Sequence, residues 1–262
     1  MNVYSYWSGN KPEWIDVCLK SIARCCNGTT KFHLLTPDTI ASEATVVDSW
    51  VKRWLPKRWL DLPPGVGTDC LRAALLYEFG GLWCDADTVC LRNPGDLIKN
   101  RHDPKQFLYS RWPTGGERVI AGYVYSPPRH PIAKQWYNFV CDALENSENI
   151  GWGDLGEKIL TLLVNMSPSS KSSWQIPIET FMPVDIDSNV YQYFDLCENW
   201  WRHVDGNTIA FGLNYSWMSH NFPSQMEGVM RSGSSLQGTL IYRLLHEAHY
   251  ENQKSGVIVD AK

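Results

Sequence analysis

No apolar run in this chain approaches the roughly 18 to 20 residues that a membrane-crossing helix needs. The opening MNVYSYWSGNKPEW lacks the basic start and apolar core of a secretion signal. The eight cysteines form no CxxC pair and no zinc-ligand spacing. With no signal, reduced thiols and a cytoplasmic location are the expectation. Positive charge is also scarce: 24 Lys and Arg against 28 Asp and Glu leave a net charge of -4. Charge therefore supplies no reason to expect nucleic acid as a partner.

What is present is an ordinary globular composition, 44% hydrophobic and 20% charged over 262 residues, enough for one large domain with a sizeable core. Tryptophan is abundant at 13 residues, clustered in WVKRWLPKRW and ENWWRH. Such surfaces suit flat ligands such as sugars and nucleobases, although Trp also fills cores. The basic and aromatic residues of 50–59 leave peripheral membrane contact open, with a packed helix the simpler reading.

Period-two alternation in NVYSYW, helical spacing over 11–25 and a strand over 31–38 predict a strand–helix–strand opening, the mark of a parallel α/β unit. Helical segments broken at Pro56 and ended at Pro63-Pro64 are expected next. A buried helix over 68–79 follows, capped by Thr68 and stopped by Gly80-Gly81, and then a short strand LWCDAD. QFLYSRW and VIAGYVYS read as strands. HPIAKQWYNFVCDALE and GDLGEKILTLLVNM read as helices, the second capped by Asp154. Strand-like pieces at 174–184 and 208–213 and a helix over 236–250 complete the chain. One α/β domain is expected.

Four charges stand out in the oily stretch DCLRAALLYEFGGLWCDADTVCL. Buried charge is expensive unless paired or bound to a cation. Asp69 and Arg72 are three apart on a helix and face each other. Alone they read first as a structural salt bridge. Asp85 and Asp87 emerge at the carboxyl edge of a sheet, where open α/β folds bind ligands. Two residues apart on a strand, their carboxylates share a side and can address one Mg²⁺ or Mn²⁺ ion. Two chemistries fit: sugar transfer from a nucleotide sugar, or phosphoryl transfer by a haloacid-dehalogenase-like phosphatase with Asp85 as nucleophile. A non-catalytic carbohydrate-binding protein is the alternative from another class.

Together Asp69, Arg72, Tyr77, Gly80, Gly81, Asp85 and Asp87 spell DxxRxxxLYxxGGxxxDxD. This resembles the DXD-containing sugar transferases of the capsular-polysaccharide-synthesis type, the initiating-mannosyltransferase relatives and the glucosyltransferase domain of large clostridial toxins. YSYWSGNKPEWIDVCLKSI, VIAGYVYSPPRHP, GWGDLGEKILT and NYSWMSH resemble further segments of that family, the third its GP-x-x-LT helix with Asp154 at the proline. The resemblance implies an α/β fold of GT-A type: a Rossmann-like core with a mixed central sheet and a helical or irregular acceptor lobe, divided near residue 125. It implies a retaining hexosyltransferase that uses Mn²⁺ or Mg²⁺, a nucleotide sugar (a UDP-sugar foremost) and a glycan or glycolipid acceptor. By the same resemblance Trp7, Ser8 and Gly9 would hold the base. Asp69, Arg72, Tyr77 and Asp154 would hold donor sugar or phosphate, Asp85 and Asp87 the metal, and Ser216 and Trp217 would close over the diphosphate. A further metal ligand would be Asn214 or His220.

Overall fold

The computed structural model describes residues 1–99, 103–113, 118–167, 172–184 and 190–259. Along β1 (Asn2–Tyr6), Val3 and Tyr4 are both fully buried but belong to two different cores. The two-residue period of a strand requires this in a sheet covered on both faces. α1 (Glu13–Cys25) crosses over and returns the chain to β2 (Lys31–Leu35), parallel to β1. Two short helices follow, α2 (Pro37–Ser42) and α3 (Val46–Trp54), the first closed by a reciprocal capping box between Thr36 and Thr39. A 3₁₀ turn, Lys57–Asp61, leads into α4 (Pro64–Glu78).

Here the structure corrects the sequence reading. Pro63-Pro64 starts a helix instead of ending one. Pro at the first helical position has its φ preset and lacks an N–H that would go unused there. Thr68 is thus no cap; it lies a turn inside the helix, and its hydroxyl donates to Pro64 O at 2.6 Å.

The passage from α4 into β3 (Gly81–Cys84) depends on glycine. Gly80 and Gly81 take φ of +62° and +119°, and a Cβ on Gly81 would overlap the Asn2 carbonyl on the neighbouring strand. β4 (Thr88–Cys90), α5 (Asp96–Lys99), β5 (Phe107–Arg111), β6 (Val119–Ser126) and α6 (Pro131–Asn146) follow. A single turn of π-helix, Asp154–Lys158, runs into α7 (Ile159–Met166), and then come β7 (Ser173–Gln175) and β8 (Ala210–Gly212). The strand-like piece expected over 174–184 is only partly strand: after β7 the chain makes a 3₁₀ turn at Ile178–Thr180. α8 (Tyr215–Asn221), α9 (Pro223–Gly228) and α10 (Leu240–Ser255) complete the chain, α10 beginning after its cap Thr239.

The main sheet has the order β2-β1-β3-β6-β5-β7, with β6 antiparallel to both its neighbours and the other pairs parallel. It continues to Gln175, past the expected division near residue 125. One face packs against α1, α10 and a two-stranded ribbon of β4 and β8; the other packs against α4, α6 and α7. The fold is mixed α/β. The eight cysteines are all free thiols. Among the described residues no helix is long and apolar enough to cross a membrane.

Candidate functional site

β3 ends at Cys84, so Asp85 is the first residue beyond the carboxyl edge of the sheet. Asp85, Ala86 and Asp87 form the connection between β3 and β4. This turn, not strand alternation, brings both carboxylates to one cleft. Asp85 Oδ1 accepts from Trp83 Nε1 at 2.8 Å and from the Arg72 guanidinium. Arg72 reaches from α4, and its other terminal nitrogen donates to Asp69 Oδ1 at 2.5 Å. The guanidinium also lies over the Trp83 ring, 5.2 Å from its centroid. The helix salt bridge and the DXD turn are therefore one network. Burial works against the Arg72 charge, but Asp85 and Asp69 outweigh it and raise its pKa.

Three carboxylates against one guanidinium leave two negative charges unbalanced in this cluster. Burial pushes Asp69 up to about 6; the Arg72 charge opposes this and the Asp85 charge adds to it. Burial and then the Asp85 charge push Asp87 up to about 6, against the Tyr215 N–H that donates to Asp87 Oδ2. A raised carboxyl pKa favours the fold while the group is protonated. That contribution is full below the ordinary carboxylate range and is lost as pH rises through about 6. At neutral pH a divalent cation bound between these carboxylates would offset their repulsion. Cation affinity should then fall as pH drops through about 6, because protons compete for Asp87. Titration of Mn²⁺ by calorimetry at several pH values checks this; a flat affinity across that range would exclude Asp87 as a ligand.

The carboxylates stand between two adjoining cavities. The larger, about 500 Å³, is walled by Trp7, Ser8, Asn10, Thr68 and Tyr215. The smaller, about 190 Å³, is walled by Asp69, Trp112, Trp152, Glu157 and Met182. Arg72, Asp85, Asp87, Ser216 and Gly65 belong to both. The closing segment arrives by pairing: β8 runs antiparallel to β4, and Leu213 N donates to Asp87 O at 3.0 Å. Asn214 then turns with φ of +53°, a conformation Asn tolerates, and caps α8 by accepting from Trp217 N at 3.2 Å. Trp7 meets Tyr215 edge-on at 5.0 Å, which joins the first strand to this segment.

Of the residues singled out in the sequence, Trp7, Ser8, Asp69, Arg72, Asp85, Asp87, Asn214 and Ser216 line the cleft. Gly9 makes the exposed turn behind Ser8 with φ of +83°. Four others are not among the cleft's lining residues. Tyr77 lies eight residues along α4 from Asp69, about 12 Å at helical rise, and stacks on Tyr137 at 5.3 Å. Trp217 packs against Tyr191 and Phe222. His220 is exposed in the last turn of α8. Asp154 is no helix cap: it binds Gly151 N at 2.7 Å and Lys158 Nζ at 2.6 Å, and it lines a separate cavity.

The carboxylate that does reach the cleft from that segment is Glu157. Counting back from Leu160-Thr161, GP-x-x-LT spacing sets Gly156-Glu157, not Gly153-Asp154, opposite the glycine and proline. The structure explains the glycine: a Cβ on Gly156 would sit 2.5 Å from both Asp69 oxygens. The π-turn then presents Glu157, which accepts from Trp112 Nε1 at 2.9 Å and from Arg118 at 3.3 Å. Gly156→Ala should displace Asp69, lower stability by about 1–3 kcal/mol and weaken the Arg72 clamp. A thermal melt alongside donor KM checks this, and an unchanged KM would show that the Asp69–Arg72 geometry is not needed.

The donor set suits a hard cation. Asp85 Oδ2 has no protein donor among the described residues, and Asp87 faces the same cleft. No third His, Cys, Asp or Glu joins them among the described residues. Comparison with known proteins shows the family. A family model described as capsular polysaccharide synthesis protein matches residues 2–179. The chain belongs to that family. Among curated relatives, this family member is 25% identical over 166 residues to the O-glycosyltransferase braB of Annulohypoxylon truncatum, covering 57% of this chain and 39% of that protein. It therefore spans well under half the length of that relative. A solved glycosyltransferase involved in the glycosylation of the major capsid of PBCV-1 shares the fold at a TM-score of 0.50 and 9% identity, over 88% of this chain and 98% of that one. The PaToxG glycosyltransferase aligns at a TM-score of 0.46 and 15% identity, over 62% and 68% of the two chains.

Proposed function

We propose that this chain is a glycosyltransferase that moves a hexose from a nucleotide sugar, a UDP-sugar foremost, to a hydroxyl of a glycan or glycolipid acceptor, with retention at the anomeric carbon. A Mn²⁺ or Mg²⁺ ion would be held by Asp85 and Asp87, with Asn214 in the same cleft as the candidate further ligand. The observation that carries this reading is the position of the Asp85–Asp87 turn between two cavities, with the Arg72 fork on Asp85. When bound, the cation would supply charge neutralisation for the departing diphosphate.

The chain's own residues then divide the work. Trp7 and Ser8 offer the wall of the larger cavity to the base, and Trp7 Nε1 is buried without a protein acceptor. Arg72, fixed by Asp69 on one side, holds Asp85 in place and sets its own positive charge beside the diphosphate. The bond between the anomeric carbon and the donor phosphate oxygen breaks as the acceptor oxygen attacks. Both Glu157 oxygens already accept hydrogen bonds, one in an ion pair with Arg118, so neither points freely at an acceptor hydroxyl. That supports retention, in which the departing phosphate oxygen takes the acceptor's proton.

Among the described residues the phosphatase alternative lacks partners at the cleft for its nucleophile, Asp85. Its lysine, Lys158, pairs with Asp154 beside another cavity, and its later acidic pair at 185–187 lies outside the described residues. Calorimetry with UDP and GDP tests the proposal: binding should be strong with Mn²⁺ and weak with EDTA. Equal binding in both would overturn the metal-dependent reading. The anomeric configuration of the first product, read by proton NMR, decides retention.

A further inference from the structure

A separate cavity of about 290 Å³ lies at the other end of the β4–β8 ribbon and shares no lining residue with the cleft. Leu91 lines it, while Asp87 lines the cleft; along an extended chain they stand roughly 13 Å apart. Trp200 is rigid in its wall. It is 5% exposed, donates Nε1 to Glu247 Oε2 at 2.6 Å, and meets Phe211 edge-on at 6.0 Å. Trp201 stacks on Trp200 with ring centroids 3.8 Å apart, yet is 56% exposed. Since Trp200 covers one face of that indole, the exposed area belongs chiefly to the other face.

The rest of the wall mixes five aliphatic residues with four charged ones, Arg24, Arg92, Glu247 and Glu251, and Arg92 already donates to Gly206 O and Asp205 O. Arg24 and Glu251 approach only to 3.8 Å, beyond hydrogen-bond distance. Arg24 Nε is buried with no partner, and the second oxygen of Glu247 has no protein donor among the described residues. An apolar ligand would leave these groups unpaired. An anion would meet Glu247 and Glu251, and a cation would meet Arg24 and Arg92. A neutral polyol can pair with the Arg24 guanidinium ends and with the Glu247 and Glu251 oxygens alike, because each hydroxyl both donates and accepts. A pyranose adds an apolar C–H face that matches a free indole face.

We propose that this cavity is a second carbohydrate site, which holds one pyranose unit of a glycan apart from the transfer cleft. The sugar lies on Trp201, with hydroxyls bridging Arg24 and Glu251. The test uses the full chain without nucleotide or metal, so that it stands or falls separately from the transferase reading. Saturation-transfer NMR and tryptophan fluorescence are run with hexasaccharides of glucose, mannose and N-acetylglucosamine. At least one should bind, and Trp201→Ala should weaken it by about tenfold or more, with Glu251→Gln weakening it less. Mn²⁺-dependent UDP binding should be unchanged in both variants. No saturation transfer from any of the three, or equal binding by wild type and Trp201→Ala, overturns the proposal.

Discussion

Asp87→Ala should abolish Mn²⁺-dependent binding of the nucleoside diphosphate and lower transfer by about a thousandfold or more. The reason is double. Asp87 faces both cavities with a carboxylate already raised by burial and by Asp85, and it also anchors the closing segment by accepting from Tyr215 N. Asp87→Asn separates the two roles, since an amide oxygen can still take the Tyr215 N–H but carries no charge for a cation. If charge is what matters, Asp87→Asn is nearly as inactive as Asp87→Ala while retaining the wild-type melting temperature. If anchoring matters more, Asp87→Asn keeps most of the activity. Full turnover in both variants would remove Asp87 from the mechanism.

The parts of this molecule legible in the sequence are those set by local periodicity and by charge in the wrong place. The opening strand–helix–strand follows directly from alternation in NVYSYW and helical spacing in α1. Asp69, Arg72, Asp85 and Asp87 were conspicuous because burial makes each of them costly alone, and the structure brings all four to one cleft. What stayed hidden depends on non-local pairing. Nothing near Asn214 announces that β8 will pair with β4, although the NYSWMSH resemblance already places Ser216 at the cleft. Asp154 lies away from the cleft because the GP-x-x-LT register falls three residues further on, where a π-turn presents Glu157. Tyr77 belongs to the same motif, but helical rise carries it away from the cleft to stack on Tyr137.

Arg72→Lys should reduce transfer by about a hundredfold at unchanged net charge. The guanidinium spends one terminal nitrogen on Asp69 and the other on Asp85, while its plane lies over Trp83. A lysine ammonium is a single point on a flexible stem. It can sit beside Asp69 or Asp85, but it cannot hold both in the fork geometry. Asp85 would then lose the orientation that leaves its Oδ2 for a cation, and KM for the donor should rise with the fall in kcat. Arg72→Met goes further by removing the charge that opposes the raised pKa of Asp69 and Asp87. Its acid limb of activity should move to higher pH, whereas that of Arg72→Lys should stay put. A fully active Arg72→Lys enzyme would reduce the Asp69–Arg72 pair to a helix salt bridge, and coordination at Asp85 would then need another support.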